Sequence, residues 1–133
     1  MISDPVQEQE QTPDRRTVYI EALDGNGAPA GAEIGIFIDG MPAGVLDLGT
    51  GAQHPATLEL DDLLAEITLV ARFLGQTETI VMYPGDRQAT FQFHGSVQYG
   101  VARKAEAFCP DGSHGSPCVT CRAANGKTWR MCC

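Results

Sequence analysis

Cysteine is missing from residues 1–100 of this 133-residue chain, and all five cysteines fall in residues 101–133. Basic side chains are scarce over the same first stretch. It carries 15 acids against 4 bases, a net of −11, whereas residues 101–133 carry 2 acids and 5 bases, a net of +3. No run approaches the roughly 18 apolar residues of a membrane-spanning helix. The first sixteen residues lack both the basic start and the apolar core of about 7–15 residues that a secretory signal requires. The chain as it stands therefore reads as cytoplasmic, and as exported only if a signal has been removed. No Gly-x-Ser-x-Gly occurs, and the one Gly-Lys-Thr, Gly126-Lys127-Thr128, has Cys121 where a phosphate loop has its first glycine, which excludes the usual nucleophile elbow and phosphate loop.

What is present suffices for one packed domain with an appendage. Apolar residues make up 43% and charged residues 20%, which speaks against disorder and against a coiled coil. The polar, Gln- and Glu-rich residues 1–16 are expected to form a flexible tail. From Thr17 the chain breaks into short β-branched and aromatic runs: Thr17 to Leu23, Ala32 to Ile38, Ala43 to Leu48, Ala56 to Leu60, Glu66 to Phe73, Thr77 to Tyr83, Arg87 to His94 and Ser96 to Arg103. Turn-forming residues such as Asp24-Gly25-Asn26-Gly27, Asp39-Gly40 and Pro84-Gly85-Asp86 separate them. This rhythm predicts an all-β fold, a single antiparallel β-sandwich of about seven strands over residues 17–104, followed by a cysteine-rich segment, 105–133. Alternation places Ile34, Ile36 and Ile38 on one face, and likewise Ile67, Leu69 and Ala71, and Phe91 and Phe93. Leucines 60, 63 and 64 and Ile67 recur at helical spacing, but the strands on either side compete for the ends of that stretch, so Asp61 to Glu66 reads as a loop or a single turn.

The run Leu23-Asp24-Gly25-Asn26-Gly27-Ala28-Pro29-Ala30-Gly31-Ala32-Glu33-Ile34, a strand, an Asp-x-x-Gly turn, a small-residue and proline segment and a second strand, resembles the opening of transthyretin-like and carboxypeptidase-regulatory-like domains. The resemblance covers residues 17–94. It implies a compact, non-catalytic binding or spacing module and brings no functional residues with it.

The body offers little chemistry of its own. Asp61 and Asp62 are adjacent, with Glu59 and Glu66 nearby, but neighbouring side chains point apart, and a solvated acidic loop accounts for them. Asp24-Gly25-Asn26-Gly27 begins like a calcium loop, yet Gly35 occupies the position of the bidentate glutamate, so a plain turn is the better reading. His54 and His94 belong to no nucleophile motif, although Ser96 lies two residues from His94, and the chain is read as not an enzyme.

The cysteine-rich end follows the pattern Cys109-x8-Cys118-x2-Cys121-x10-Cys132-Cys133, with His114 in the first gap. Few large apolar side chains lie among these cysteines, so covalent bonds or a metal must hold the segment. Asn125-Gly126 at a two-residue hairpin tip would pair Ala124 with Lys127, Cys121 with Arg130 and Cys118 with Cys133. Cytosolic thiols stay reduced, and the arrangement is similar to a zinc ribbon with one Cys-x-x-Cys instead of two. The expectation is a structural zinc ion on Cys109, Cys118, Cys121 and Cys132, with His114 as the substitute for Cys109. The alternative is two disulfides and a spare thiol in an exported protein, with a connectivity that spacing does not reveal. Another alternative makes residues 109–133 the modified part of a precursor. Arg103, Lys104, Arg122, Lys127 and Arg130 around Trp129 could meet nucleic acid, but the chain's net charge of −8 opposes that, and these cations are expected to face the acidic body or an acidic partner. A protein partner is the expectation, with no membrane span and the oligomeric state left open.

Overall fold

The computed structural model describes residues 15–50, 55–98 and 103–133. Eleven strands run in chain order: β1 Arg16–Leu23, β2 Glu33–Ile38, β3 Met41–Asp47, β4 Ala56–Leu60, β5 Ile67–Phe73, β6 Gln76–Met82, β7 Gln88–Gln92, β8 Glu106–Phe108, β9 His114–Gly115, β10 Cys118–Arg122 and β11 Thr128–Cys132. They form two sheets, a five-stranded one in the order β10-β11-β4-β1-β7 and a six-stranded one in the order β6-β5-β2-β3-β8-β9. The chain is all-β, and among the described residues no helix is long and apolar enough to cross a membrane.

The expectation of a single antiparallel unit of about seven strands needs two corrections. β7 runs parallel to β1, pairing Tyr19 with Gln88 through Leu23 with Gln92, so the five-stranded sheet is mixed. The chain leaves β6 in one sheet, turns at Pro84-Gly85-Asp86 and enters the other sheet beside β1. Alternation identifies a strand but says nothing about which neighbour it takes or in which direction. The second correction is in number, because β8 to β11 all come from residues 106–132. The expected run from Ser96 to Arg103 is not a strand at residues 96–98, and residues 99–102 lie outside the described ones. Asp61 to Glu66 connects β4 to β5 as a turn, in which the Asp62 carboxylate accepts the Leu64 amide at 3.0 Å.

Most strands lend alternate side chains to one core, β6 contributing Met82 as its one buried residue and β9 none. Val18 and Ile20 of β1, Ile34 and Ile36 of β2, Leu58 of β4, Ile67, Leu69 and Ala71 of β5, and Phe91 of β7 are all buried. The cysteine-rich end joins this core. β11 pairs with β4, Trp129 facing Leu60 and Met131 facing Leu58, and Met131 is fully buried. Across the core, Trp129 donates its indole N–H to the Ala43 carbonyl at 2.8 Å. Met131 lies against Gly44, where an added Cβ would come within 2.6 Å of the Met131 methyl and 2.3 Å of the Phe108 carbonyl. Gly44 also has φ +135°, so a side chain there is excluded by space and by backbone alike.

The expected tail, residues 1–16, lies outside the described residues except for Arg15 and Arg16. Arg16 opens β1 and is only 3% exposed. Its guanidinium donates to the carbonyls of Ala65 at 2.8 Å, Tyr83 at 2.7 Å and Asp86 at 3.0 Å, so one buried cation closes the β4–β5 and β6–β7 connections together. Carbonyl dipoles, not a carboxylate, are its hydrogen-bond partners. Arg16→Met keeps the stem and removes the donors, and should lower the unfolding free energy in urea by about 2–3 kcal/mol. An unchanged midpoint would show that the three carbonyls find other partners.

Candidate functional site

The hairpin of β10 and β11 turns through Ala124-Asn125-Gly126, closed by Ala123 N–H to the Lys127 carbonyl at 2.8 Å and by Gly126 N–H to the Ala123 carbonyl at 3.0 Å. Gly126 has φ +88°, the left-handed residue that ends a three-residue hairpin loop. The expected two-residue turn would have moved the register by one. Instead Cys118 stands opposite Cys132, Cys121 opposite Trp129 and Arg122 opposite Thr128. A shift of one residue exchanges the faces of a strand, and here it decides the sulfur chemistry.

Cys118 and Cys132 are bonded across the hairpin with Cα atoms 4.1 Å apart, and Cys109 is bonded to Cys121 with Cα atoms 5.5 Å apart. The zinc expected on Cys109, Cys118, Cys121 and Cys132 is therefore overturned, because all four sulfurs are consumed in disulfides and no thiolate is left to ligate. Among the described residues no group of three or more His, Cys, Asp or Glu side chains could hold a metal ion. His114, the proposed substitute ligand, pairs through Nδ1 with the Glu106 carboxylate at 2.5 Å and packs beside the Phe108 ring. The two bonds have different tasks. Cys118–Cys132 closes a hairpin within one sheet. Cys109 directly follows β8 of the six-stranded sheet and Cys121 lies in β10 of the other, so the Cys109–Cys121 bond, 5% and 2% exposed at its two ends, joins the sheets.

Cys133 is the free cysteine. Its amide donates to the Pro117 carbonyl at 2.8 Å, and its thiol points to the Asp47 carbonyl at 3.7 Å. Burial, and then the Asp47 carboxylate, push the thiol up to about 11. Adjacent residues of a strand point to opposite faces, and the vicinal pair divides accordingly: Cys132 is bonded across the hairpin while Cys133 packs against the core.

A concave, largely apolar surface lies where the β10–β11 hairpin overhangs the β2–β3 hairpin, a groove of about 930 Å³. Ile38, Met41, Pro42, Leu60 and Trp129 line it, and Met41 is 69% exposed. Its rim is charged. Lys127 at the hairpin tip pairs with Asp62 at 3.2 Å, tying the tip to the β4–β5 connection. The Leu64 amide first and the Lys127 ammonium second hold the Asp62 carboxyl below the usual carboxylate range. The Ser113 hydroxyl and amide do the same for Asp111. With Asp39 and Asp61 on the same rim, carboxylates outnumber the cations Arg122 and Lys127. Of the cations proposed as a nucleic-acid patch, Lys127 is engaged by Asp62 and Arg103 by Asp47.

Of the residues lining this groove, the sequence marks Arg122, Lys127 and Trp129 only as a nucleic-acid patch, and it does not mark Ile38, Met41, Pro42 or Leu60 for binding. Alternation in Thr128-Trp129-Arg130-Met131-Cys132 puts Trp129 and Met131 on one face, which turns inward once β11 pairs with β4. For Met41 and Pro42 no local pattern distinguishes an exposed hairpin end from a groove wall. Comparison of the chain with protein-family models, with curated proteins and with solved structures finds no match.

The sulfur assignment predicts an intact mass four hydrogens below the fully reduced chain, no bound metal and one alkylatable thiol. A thiol pushed from 9.0 to about 11 holds roughly a hundredfold less thiolate near pH 8, so iodoacetamide should label Cys133 that much more slowly in the folded protein than in the urea-unfolded protein. Equal labelling rates would contradict its placement against the core.

Proposed function

We propose that this protein is an exported, disulfide-stabilised β-sandwich that acts as a non-enzymatic binding module, and that the groove beneath the β10–β11 hairpin receives an extended segment of a protein partner. The observation that carries the reading is the groove itself, with an apolar floor made by Trp129, Leu60 and Met41 inside a rim on which carboxylates predominate. An anchor of this kind takes an aliphatic or aromatic side chain. The acidic rim, on a chain of net charge −8, favours a partner segment with lysine or arginine beside that anchor and speeds its approach.

Two disulfides among five cysteines suit an oxidising compartment, which supports export over the cytoplasm. The resemblance of Leu23 to Ile34 to transthyretin-like domains supports a spacing or binding role. In that segment the Asp24 carboxylate accepts the amides of Asn26 at 2.8 Å and Ala28 at 3.0 Å, the turn chemistry expected of it. The burial of Trp129 and Met131 counts against residues 109–133 being a peptide released or modified after synthesis.

Trp129 is the sole tryptophan and lines the groove, so its emission reports occupancy. Displayed peptides selected on the disulfide-intact protein should be enriched in an aliphatic or aromatic residue next to lysine or arginine, and should shift that emission. Asp111→Lys, on the exposed rim, should weaken them by roughly tenfold at low salt. Selected peptides without a cation, or without effect on Trp129, would exclude the groove as the site.

A further inference from the structure

The six-stranded sheet ends on β6, whose backbone ladder has one neighbour among the described residues, β5, while the Gln76 side chain bonds the His94 backbone. The two strands are joined by Leu74 and Gly75, both at positive φ (51° and 75°), the two-residue turn whose flanking residues exchange hydrogen bonds. Phe73 faces Gln76 across that turn. Counting outward from it, Gln76, Glu78, Ile80 and Met82 direct their backbone groups toward β5, while Thr77, Thr79 and Val81 direct theirs to the free edge. Three amides and three carbonyls thus lie in a row along an open edge. Thr77, Thr79 and Val81 are exposed, Val81 by 40%.

Edge strands are ordinarily protected by proline, a bulge, charged side chains (lysine above all), a covering element or brevity. β6 has seven residues, with no proline, no lysine and a register against β5 unbroken from Ile67–Met82 to Phe73–Gln76. Its one charge is Glu78, and that charge selects among pairings. A second β6 laid antiparallel about a two-fold axis through Thr79 opposes Thr77 to Val81 of the second copy, Thr79 to Thr79 and Val81 to Thr77. Each of these pairs exchanges two hydrogen bonds, so every outward-facing group of both strands is satisfied. On the other face Glu78 meets Ile80. Moving the axis to Glu78 opposes the two glutamates directly and leaves Val81 facing the turn. The pairing centred on Thr79 is therefore the one in which hydrogen bonding and charge agree, and it places β-branched side chains opposite one another along its outer face.

We infer that the β6 edge is a self-association surface on which two copies of this chain join antiparallel about Thr79, making one continuous sheet of twelve strands. The interface is isologous and closed, as a two-fold axis requires. It is independent of the groove, which lies at the β2–β3 and β10–β11 hairpins. Two chains of net charge −8 repel, and the two Glu78 side chains lie diagonal to each other across the axis. The dimer should consequently tighten with salt and with Glu78→Gln.

Sedimentation equilibrium of the disulfide-intact protein tests this. The expected result is a mass that rises with concentration from 14.2 kDa toward twice that value, more readily in high salt. Thr79→Pro removes an amide that β5 does not use, and should weaken association by roughly ten- to a hundredfold through the two lost bonds of the central pair, with the far-UV spectrum unchanged. Should that variant fold poorly, Thr77→Lys with Val81→Lys opposes lysines across the same interface and should leave a folded monomer. A chain that stays monomeric at high concentration and high salt, or a dimer that survives the double-lysine variant, would overturn the inference.

Discussion

The Cys109–Cys121 bond connects the end of β8 in the six-stranded sheet to β10 in the five-stranded sheet, and much of the structure is arranged around that connection. It fixes where the β10–β11 hairpin sits over the core. From that position Trp129 can reach the Ala43 carbonyl and Met131 can fill the space left by Gly44. Closing its twelve-residue separation restricts the unfolded chain by about 3 kcal/mol, a large share of the stability of a domain this size. The hairpin in turn forms one wall of the groove, so the bond that holds the fold also shapes the surface proposed to bind.

Much of the body could be read from the sequence because period-2 alternation and turn residues are local signals. Ile34 with Ile36, Ile67 with Leu69, and Phe91 with Phe93 are buried where their spacing places them. Long-range features were not legible in the same way. The parallel pairing of β7 with β1 depends on a crossing between sheets that leaves no mark on either strand's own pattern. The buried Arg16 reads as the last residue of a polar tail, since the carbonyls that receive it lie 49 to 70 residues away.

The cysteine-rich end shows how a small local error spreads. Asn125-Gly126 marked the turn to within a residue, but a three-residue loop replaces the two-residue one, and the register moves Cys132 to the place opposite Cys118. The zinc expectation followed from reduced thiols in a cytosolic setting, and the paired sulfurs remove that premise. The division between an acidic body and a basic end takes on a structural meaning as well. Lys127 and Arg103 from the end are set against Asp62 and Asp47 of the body, while Asp39 and Asp111 at the groove rim have no ion-pair partner among the described residues and Glu78 stands on the β6 edge strand.

The central claim is that residues 109–133 are part of the two-sheet core and not attached to a body that folds without them. Urea unfolding of the chain ended at Phe108, followed by far-UV circular dichroism beside the full chain, tests it most directly. Without β10 and β11, β4 loses the neighbour that covers Leu58 and Leu60, and the core loses Trp129 and Met131. The account predicts that the shortened chain has no cooperative transition. A sigmoidal transition close to that of the full chain would contradict it.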